Sequence, residues 1–203
     1  MKKLERSFYN KSALVLAKDL LGKYLVFNTD SERLVGKIVE TEAYMGFNDK
    51  AAHTYNGRRT PRTEAMYGEE GHAYVYLIYG MYNCFNVVAA EKEIAQAVLI
   101  RGLEPIEGLE AMSLNRFNKP YEKLKGSQII ALTNGPGKLC QALGITRDIN
   151  GEDLTGNRLY ICSVKEVSFD IVETKRIGID YAEEARDFLW RFYIKDNKFV
   201  SVP

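Results

Sequence analysis

An α+β fold, with a mixed, largely antiparallel β-sheet flanked by helices, is predicted by three features of the chain. Runs rich in β-branched and aromatic residues follow one another across turns, helix-period segments stand apart from them, and no internal repeat organises the pattern. The 203 residues, 46% hydrophobic and 27% charged, suit a single domain spanning residues 1–203. Residues 12–21, SALVLAKDLL, read as a buried helix with Ser12 at its N-cap and Gly22 just past its end. KYLVFN and, after a turn near Asp30, RLVGKIVETEAY read as paired strands. The polar stretch from Gly46 to Gly71 is long for a connection, which predicts a functional loop holding short helical pieces. AYVYLIYGMYNCFNVVAA predicts a strand, a glycine-containing turn and a second strand, and QAVLIR a further strand. Pro105 is expected to open a helix running through Leu114, and Asn134 to precede another at PGKLCQAL, ended by Gly144. LYICSV and a final FVSV read as strands, with a less regular segment around KRIGIDY between them.

Composition narrows the function classes. No run approaches the roughly 18 consecutive apolar residues of a membrane helix, and the basic start MKKLERSFYN lacks an apolar segment behind it, so a cytoplasmic protein with no membrane partner is expected. Cys84, Cys140 and Cys162 are widely spaced and only His53 and His72 are present, which argues against a disulfide framework and a His- or Cys-based metal cage. The 28 basic and 27 acidic residues supply no long-range pull on a polyanion, so any nucleic-acid surface must be a local patch. HTYNGRRTPR, residues 53–62, carries Arg58, Arg59 and Arg62 with no acid, and Lys119, Lys123 and Lys125 form a second basic stretch. Each also reads as a solvated loop.

Three constellations could carry chemistry. In VETEAY, strand alternation puts Glu40, Glu42 and Tyr44 on one face, where a carboxylate beside another charge or an aromatic wall can serve as general base. The same face could merely be exposed and charged. Seven of the thirteen tyrosines lie between Tyr44 and Tyr82, and Tyr79, Met81 and Tyr82 crowd the turn of the predicted hairpin. That turn is either a two-residue Gly80-Met81 turn or a three-residue Gly80-Met81-Tyr82 loop. The second register, pairing Tyr79 with Asn83 and Tyr76 with Asn86, is preferred because it segregates Val75, Leu77, Phe85 and Val87 from Tyr76 and Asn86. Such a tip is either covered by the rest of the chain or a wedge that enters a partner such as DNA. His53, nine positions after Tyr44, could share with it an aromatic slot for a flat ligand, and a nucleobase would also explain the nearby arginines.

ETEAY, AAHTYNGRRTPR, YVYLIYGMYNCFN, LIRGLEP and GPGKLCQAL, in this order, closely resemble the 3-methyladenine (alkyladenine) DNA glycosylase family of the mammalian type. The resemblance spans roughly residues 10–200 and is densest from Gly36 to Gly108. It implies a monofunctional DNA glycosylase that acts in base excision repair on double-stranded DNA containing a damaged, alkylated or deaminated purine, flipping the nucleotide out and hydrolysing its N-glycosidic bond. It also implies a protruding β-hairpin that enters the minor groove, no metal or organic cofactor and no obligate protein partner, with a nucleoid association if the source is prokaryotic. By the same resemblance Glu42 is the general base, Arg101 orients the nucleotide through its phosphate and the water network, and Tyr44, His53 and Tyr76 line and stack the flipped base. Asn86 would discriminate against the exocyclic amino group of guanine, and Ile177 would help wall the pocket at a position where the family commonly has Val. Tyr79 would fill the vacated space, with Met81 beside it, and Arg58, Arg62 and Lys138 would face the phosphates. Two rivals are a carboxylate-pair glycoside hydrolase using Glu40 and Glu42, and a non-catalytic module that recognises distorted DNA.

Overall fold

The computed structural model describes residues 1–164 and 168–203. Among them an antiparallel sheet runs in the order β1 (Lys2–Lys3), β7 (Leu159–Ser163), β2 (Tyr24–Asn28), β3 (Arg33–Tyr44), β6 (Gln96–Glu107), β5 (Tyr82–Ala89) and β4 (Ala73–Ile78). A ribbon of β8 (Ile171–Thr174) and β9 (Arg191–Ile194) joins it where β9 pairs with β3. The helices are α1 (Arg6–Tyr9), α2 (Ala13–Asp19), α3 (Leu109–Phe117), α4 (Gly126–Ile130) and α5 (Pro136–Leu143). Every pairing between these strands is antiparallel, and the architecture is α+β. No described helix is long and apolar enough to cross a membrane.

Strand β3 divides the molecule into a core side and a site side. It pairs with β2 through Arg33–Lys37 and then with β9 through Glu40–Glu42, while β6 follows along its other edge. Alternation turns Val39 and Ala43 into the main core, and the Thr41 hydroxyl between them donates to the Ala17 carbonyl of α2 at 2.8 Å. Glu40, Glu42 and Tyr44 are left on the opposite face. Helix α2 begins where capping predicts, with Ser12 Oγ accepting from the Val15 N–H at 3.4 Å, but it ends at Asp19 with Leu20 as its C-cap, short of the expected Leu21, and a turn leads on to Gly22 at φ +78°. The stretch from Gly46 to Gly71 holds three short 3₁₀ turns, at Gly46–Asn48, Tyr55–Gly57 and Glu64–Tyr67.

Three expectations are corrected. Pro105 does not open a helix; it lies within β6, opposite Gly36, where the β3–β6 pairing slips by a residue, and such irregularities are where a strand tolerates a residue without an N–H. The helix begins at Leu109, after Gly108 turns the chain at φ +80°. FVSV is not a strand, because β9 already occupies the free edge of β3; Ser201 instead delivers its N–H and hydroxyl to Glu40 at 2.7 and 2.9 Å. The hairpin adopts neither register considered above: Ile78 pairs with Tyr82, Tyr76 with Cys84 and Tyr74 with Asn86, around a Tyr79-Gly80-Met81 loop. Relative to the preferred register this is a slip of one position on each strand, which preserves side-chain parity, so Val75, Phe85 and Val87 still enter the core and Tyr76 and Asn86 still share the other face.

A Cβ at Gly108 would lie 2.2 Å from Leu34 Cδ2 and 3.0 Å from the Arg33 carbonyl, in a left-handed conformation. Gly108→Ala is therefore expected to destabilise the fold by at least about 2 kcal/mol, from strain and overpacking together, read as a lowered urea midpoint with an unchanged slope.

Candidate active site

A cavity of about 340 Å³ opens beside the hairpin on the site face of the sheet. Its wall includes Tyr44 from the end of β3, His53 from the 3₁₀ loop, Tyr76 and Asn86 from the hairpin strands, Arg101 from β6 and Ile177 from the segment after β8. Five separate parts of the chain thus converge on one slot. The His53 and Tyr76 rings meet edge to face, with centroids 4.7 Å apart and an interplanar angle of 80°. Asn86 Nδ2 donates to the Tyr74 carbonyl at 3.0 Å, which fixes the amide's orientation. A wider cleft of about 690 Å³, lined by Lys18, Lys37 and Phe169 among others, gathers none of these residues.

Glu42 is wholly buried immediately behind this wall, held by three groups that line the cavity. Its Oε1 accepts the Ile177 N–H at 2.8 Å and lies 3.4 Å from Arg101 Nη1, while its Oε2 accepts the Tyr44 hydroxyl at 2.9 Å. Burial, and next the Glu42 charge, push the Tyr44 phenol well above its ordinary pKa, so it remains a donor to that carboxylate. Burial opposes the charge on Arg101, but Glu42 and Glu40 outweigh it and hold the guanidinium's pKa above its usual value.

The neighbouring Glu40 is also wholly buried, but its oxygens are taken up by Arg101 Nε at 3.2 Å, Arg191 Nη1 at 2.8 Å and both donors of Ser201. Two carboxylates on one strand face are therefore differently placed: neither lines the cavity, but Glu40 is bound, besides Arg101, by Arg191 and Ser201, which lie outside the lining, whereas Tyr44, Ile177 and Arg101, which hold Glu42, all belong to it. A pair acting across one glycosidic bond has no support in that arrangement.

His53 is kept neutral. Burial first, then the charges of Arg62 and Arg58, lower its pKa to about 4, and its Nδ1 lies 2.9 Å from the Tyr74 hydroxyl. Arg62 sits with its guanidinium 4.8 Å from the Tyr76 centroid and Nη2 3.4 Å from His53 Nε2, at the edge of the slot. Arg58 is exposed beside it. Arg59 is neutralised by acids from outside the run, Glu64 at 2.6 Å and Glu93 at 2.6 Å. Lys138 is half-buried in the first turn of α5, bonded to Asn134 Oδ1 at 2.8 Å. The hairpin tip is not covered by the chain: Tyr79 is 77% exposed and Met81 66%.

Sequence reasoning missed several participants. Tyr74 could have been found, since it shares a strand face with Tyr76 two residues away and its hydroxyl meets His53. Tyr181, exposed at the cavity rim, and the buried Asp49, Arg176 and Arg191 carry no local signature, because their partners lie far away in sequence. Ile177 lines the cavity, and its backbone N–H, which no side-chain pattern announces, also reaches Glu42.

Known proteins match this chain in sequence. The profile described as Methylpurine-DNA glycosylase (MPG) matches residues 7–198. The chain is 56% identical over 202 residues to a protein of Desulfitobacterium hafniense (strain Y51), covering 100% of both, and 60% identical over 200 residues to one of Clostridium acetobutylicum, covering 98% of both. A protein of Clostridium perfringens (strain SM101 / Type A) is 57% identical over 203 residues, with 98% of each chain covered. All three bear the name "Putative 3-methyladenine DNA glycosylase". The chain belongs to the methylpurine-DNA glycosylase family, and so to the hydrolases that act on DNA in base excision repair.

The lowered His53 pKa has a measurable consequence. Between the ordinary 6.5 and about 4 the unfolded chain holds a proton on this ring that the folded chain does not, so folded stability falls as pH drops through that window. His53→Gln is expected to flatten the acid-side decline in thermal midpoint between pH 6.5 and 4 relative to the parent, as followed by circular dichroism.

Proposed function

We propose that this protein excises damaged purines, alkylated or deaminated, from double-stranded DNA, with Glu42 as the base that activates water. The observation that carries the reading is a fully buried carboxylate held by two hydrogen bonds and an ion pair from groups that also form the wall of an aromatic slot. With an everted nucleotide in the slot, water held by Glu42 attacks C1′ of the deoxyribose. The C1′–N bond breaks with its electron pair going to the purine and the water's proton passes to Glu42; a cationic alkylated base thereby leaves neutral, whereas a deaminated base leaves as an anion that takes a proton from solvent, and an abasic site remains. The transition state has oxocarbenium character, so the same carboxylate offsets the positive charge growing on the sugar.

The slot suits such a leaving group. A purine alkylated at N3 or N7 is cationic, and Tyr44, Tyr76 and a neutral His53 present it with π faces and edges but no imidazolium charge. In this reading Asn86, whose amide donates to the Tyr74 carbonyl, reads a purine edge, and Ile177 and Arg101 close the wall toward Glu42. On the outer surface Tyr79 and Met81 form the wedge that enters the minor groove and fills the vacated stack, and Arg58, Arg62 and Lys138 contact phosphates. A chain of net charge +1 draws its DNA affinity from these local contacts. No cofactor and no protein partner enter the scheme.

Glu42→Gln keeps the size of the side chain and removes the base. In single-turnover assays on duplexes each carrying one modified purine, scored by alkali cleavage, it is expected to lose at least about a hundredfold in rate with lesion affinity retained. Parental rates in this variant remove Glu42 from the mechanism, and no excision of any lesion by the parent favours a module that only recognises distorted DNA. Tyr79→Ala is expected to leave the thermal midpoint in place and to lower excision on the order of tenfold or more through impaired flipping, reported by the emission of 2-aminopurine placed beside the lesion. Unchanged emission and rate return the tip to a structural role.

A further inference from the structure

Asp49 and Arg176 form a wholly buried ion pair, and neither residue lines the cavity. The contact is bidentate: Nη1 donates to Oδ2 at 2.6 Å and Nη2 to Oδ1 at 2.8 Å. Arg176 Nη1 also donates to the Ala43 carbonyl at 2.9 Å, between Glu42 and Tyr44, and Nη2 to the Ala185 carbonyl at 3.3 Å. The guanidinium lies 4.8 Å from the Tyr44 centroid and 4.9 Å from that of Trp190. On the other side Asp49 accepts the N–H groups of Met45 and Ala51, both at 3.0 Å, shaping the loop that runs from Tyr44 to His53.

The residue after Arg176 is Ile177, whose N–H holds Glu42 Oε1. One ion pair therefore fixes, within a single covalent step, two of the three groups that grip Glu42. It ties Ile177 by its own backbone, and it ties Tyr44 by ring contact and by the carbonyl that precedes it. Stability alone gives little reason for this chemistry, because buried ion pairs can be replaced by packed apolar residues at no loss. What a planar bidentate fork adds is orientation.

We propose that Asp49 and Arg176 are positioning residues for excision: a buried clamp that sets the Glu42 carboxylate through the Ile177 N–H and Tyr44 without touching the nucleotide. The proposal rests on Glu42 being the base, and a double-mutant cycle separates the two ideas. Arg176→Lys keeps the charge and loses the fork. The paired change Asp49→Leu with Arg176→Met replaces the ion pair by apolar groups, which guards against an uncompensated buried charge.

The expected result for both is a fall on the order of tenfold or more in the single-turnover rate at saturating enzyme, per molecule folded by circular dichroism, with affinity for a duplex bearing a tetrahydrofuran abasic site changed by less than about threefold. In a Glu42→Gln background the Arg176→Lys penalty is expected to vanish, because the clamp then has no base to position. Parental rates in the folded variants, or a loss confined to melting temperature, overturn the clamp. So does an undiminished Arg176→Lys penalty in the Glu42→Gln background, which would place its action elsewhere. Parental excision by Glu42→Gln alone overturns instead the assignment of the base.

Discussion

Charge balance beneath the pocket is the constraint on which the site depends. The charged side chains buried among the described residues are three carboxylates, Glu40, Glu42 and Asp49, and three guanidiniums, Arg101, Arg176 and Arg191. Arg101 bridges Glu40 and Glu42, Arg191 closes on Glu40, and Arg176 grips Asp49. Leaving one partner of a buried pair uncompensated costs on the order of 3–5 kcal/mol, so these side chains are fixed as a group. Their geometry determines where the carboxylate of Glu42 stands, and the ion pairs of Arg101 and Arg191 with β3 span the same strands, β3, β6 and β9, that the ladders join.

Within that group chemically identical side chains are made different by their neighbours. Glu40 and Glu42 are two residues apart on one strand face and share Arg101, yet Ser201 and Arg191 occupy Glu40 from the side of the C-terminal segment. Glu42 is held by a phenol, a backbone N–H and one guanidinium nitrogen, all of them in the cavity wall. The arginines divide in the same way: Arg59 is paired with surface acids, while Arg62 rests on Tyr76 at the slot and the buried Arg101 forms part of its wall. In a chain with 28 basic and 27 acidic residues, Arg62 at the slot is a local rather than a global source of positive charge.

Much of the fold was legible because its signals are local. The helix opened by Ser12, the β2–β3 pair, the hairpin and the α5 segment between Asn134 and Gly144 follow from period and capping, which need only neighbouring residues. Pro105 misled because its helix-opening habit competed with a strand irregularity visible only once β3 lies alongside. FVSV has a strand's composition, but the edge it would need is taken by β9. The hairpin register depends on φ +53° at Tyr79 and +72° at Gly80, which no residue pattern in the turn specifies, although the two-residue period protected the assignment of faces.

By itself the sequence determined which residue types line the site face: alternation in VETEAY set Glu40, Glu42 and Tyr44 together, and the aromatic density from Tyr44 to Tyr82 marked the slot. Only the tertiary structure decided which glutamate meets the cavity wall, that Ile177 contributes its backbone, and that Asp49 and Arg176 hold the two sides together. The reason is physical. Periodicity orients side chains relative to their own strand, whereas a buried charge such as Glu40 finds partners 61 residues away, in Arg101, and 161 residues away, in Ser201, and those contacts exist only after the chain has folded.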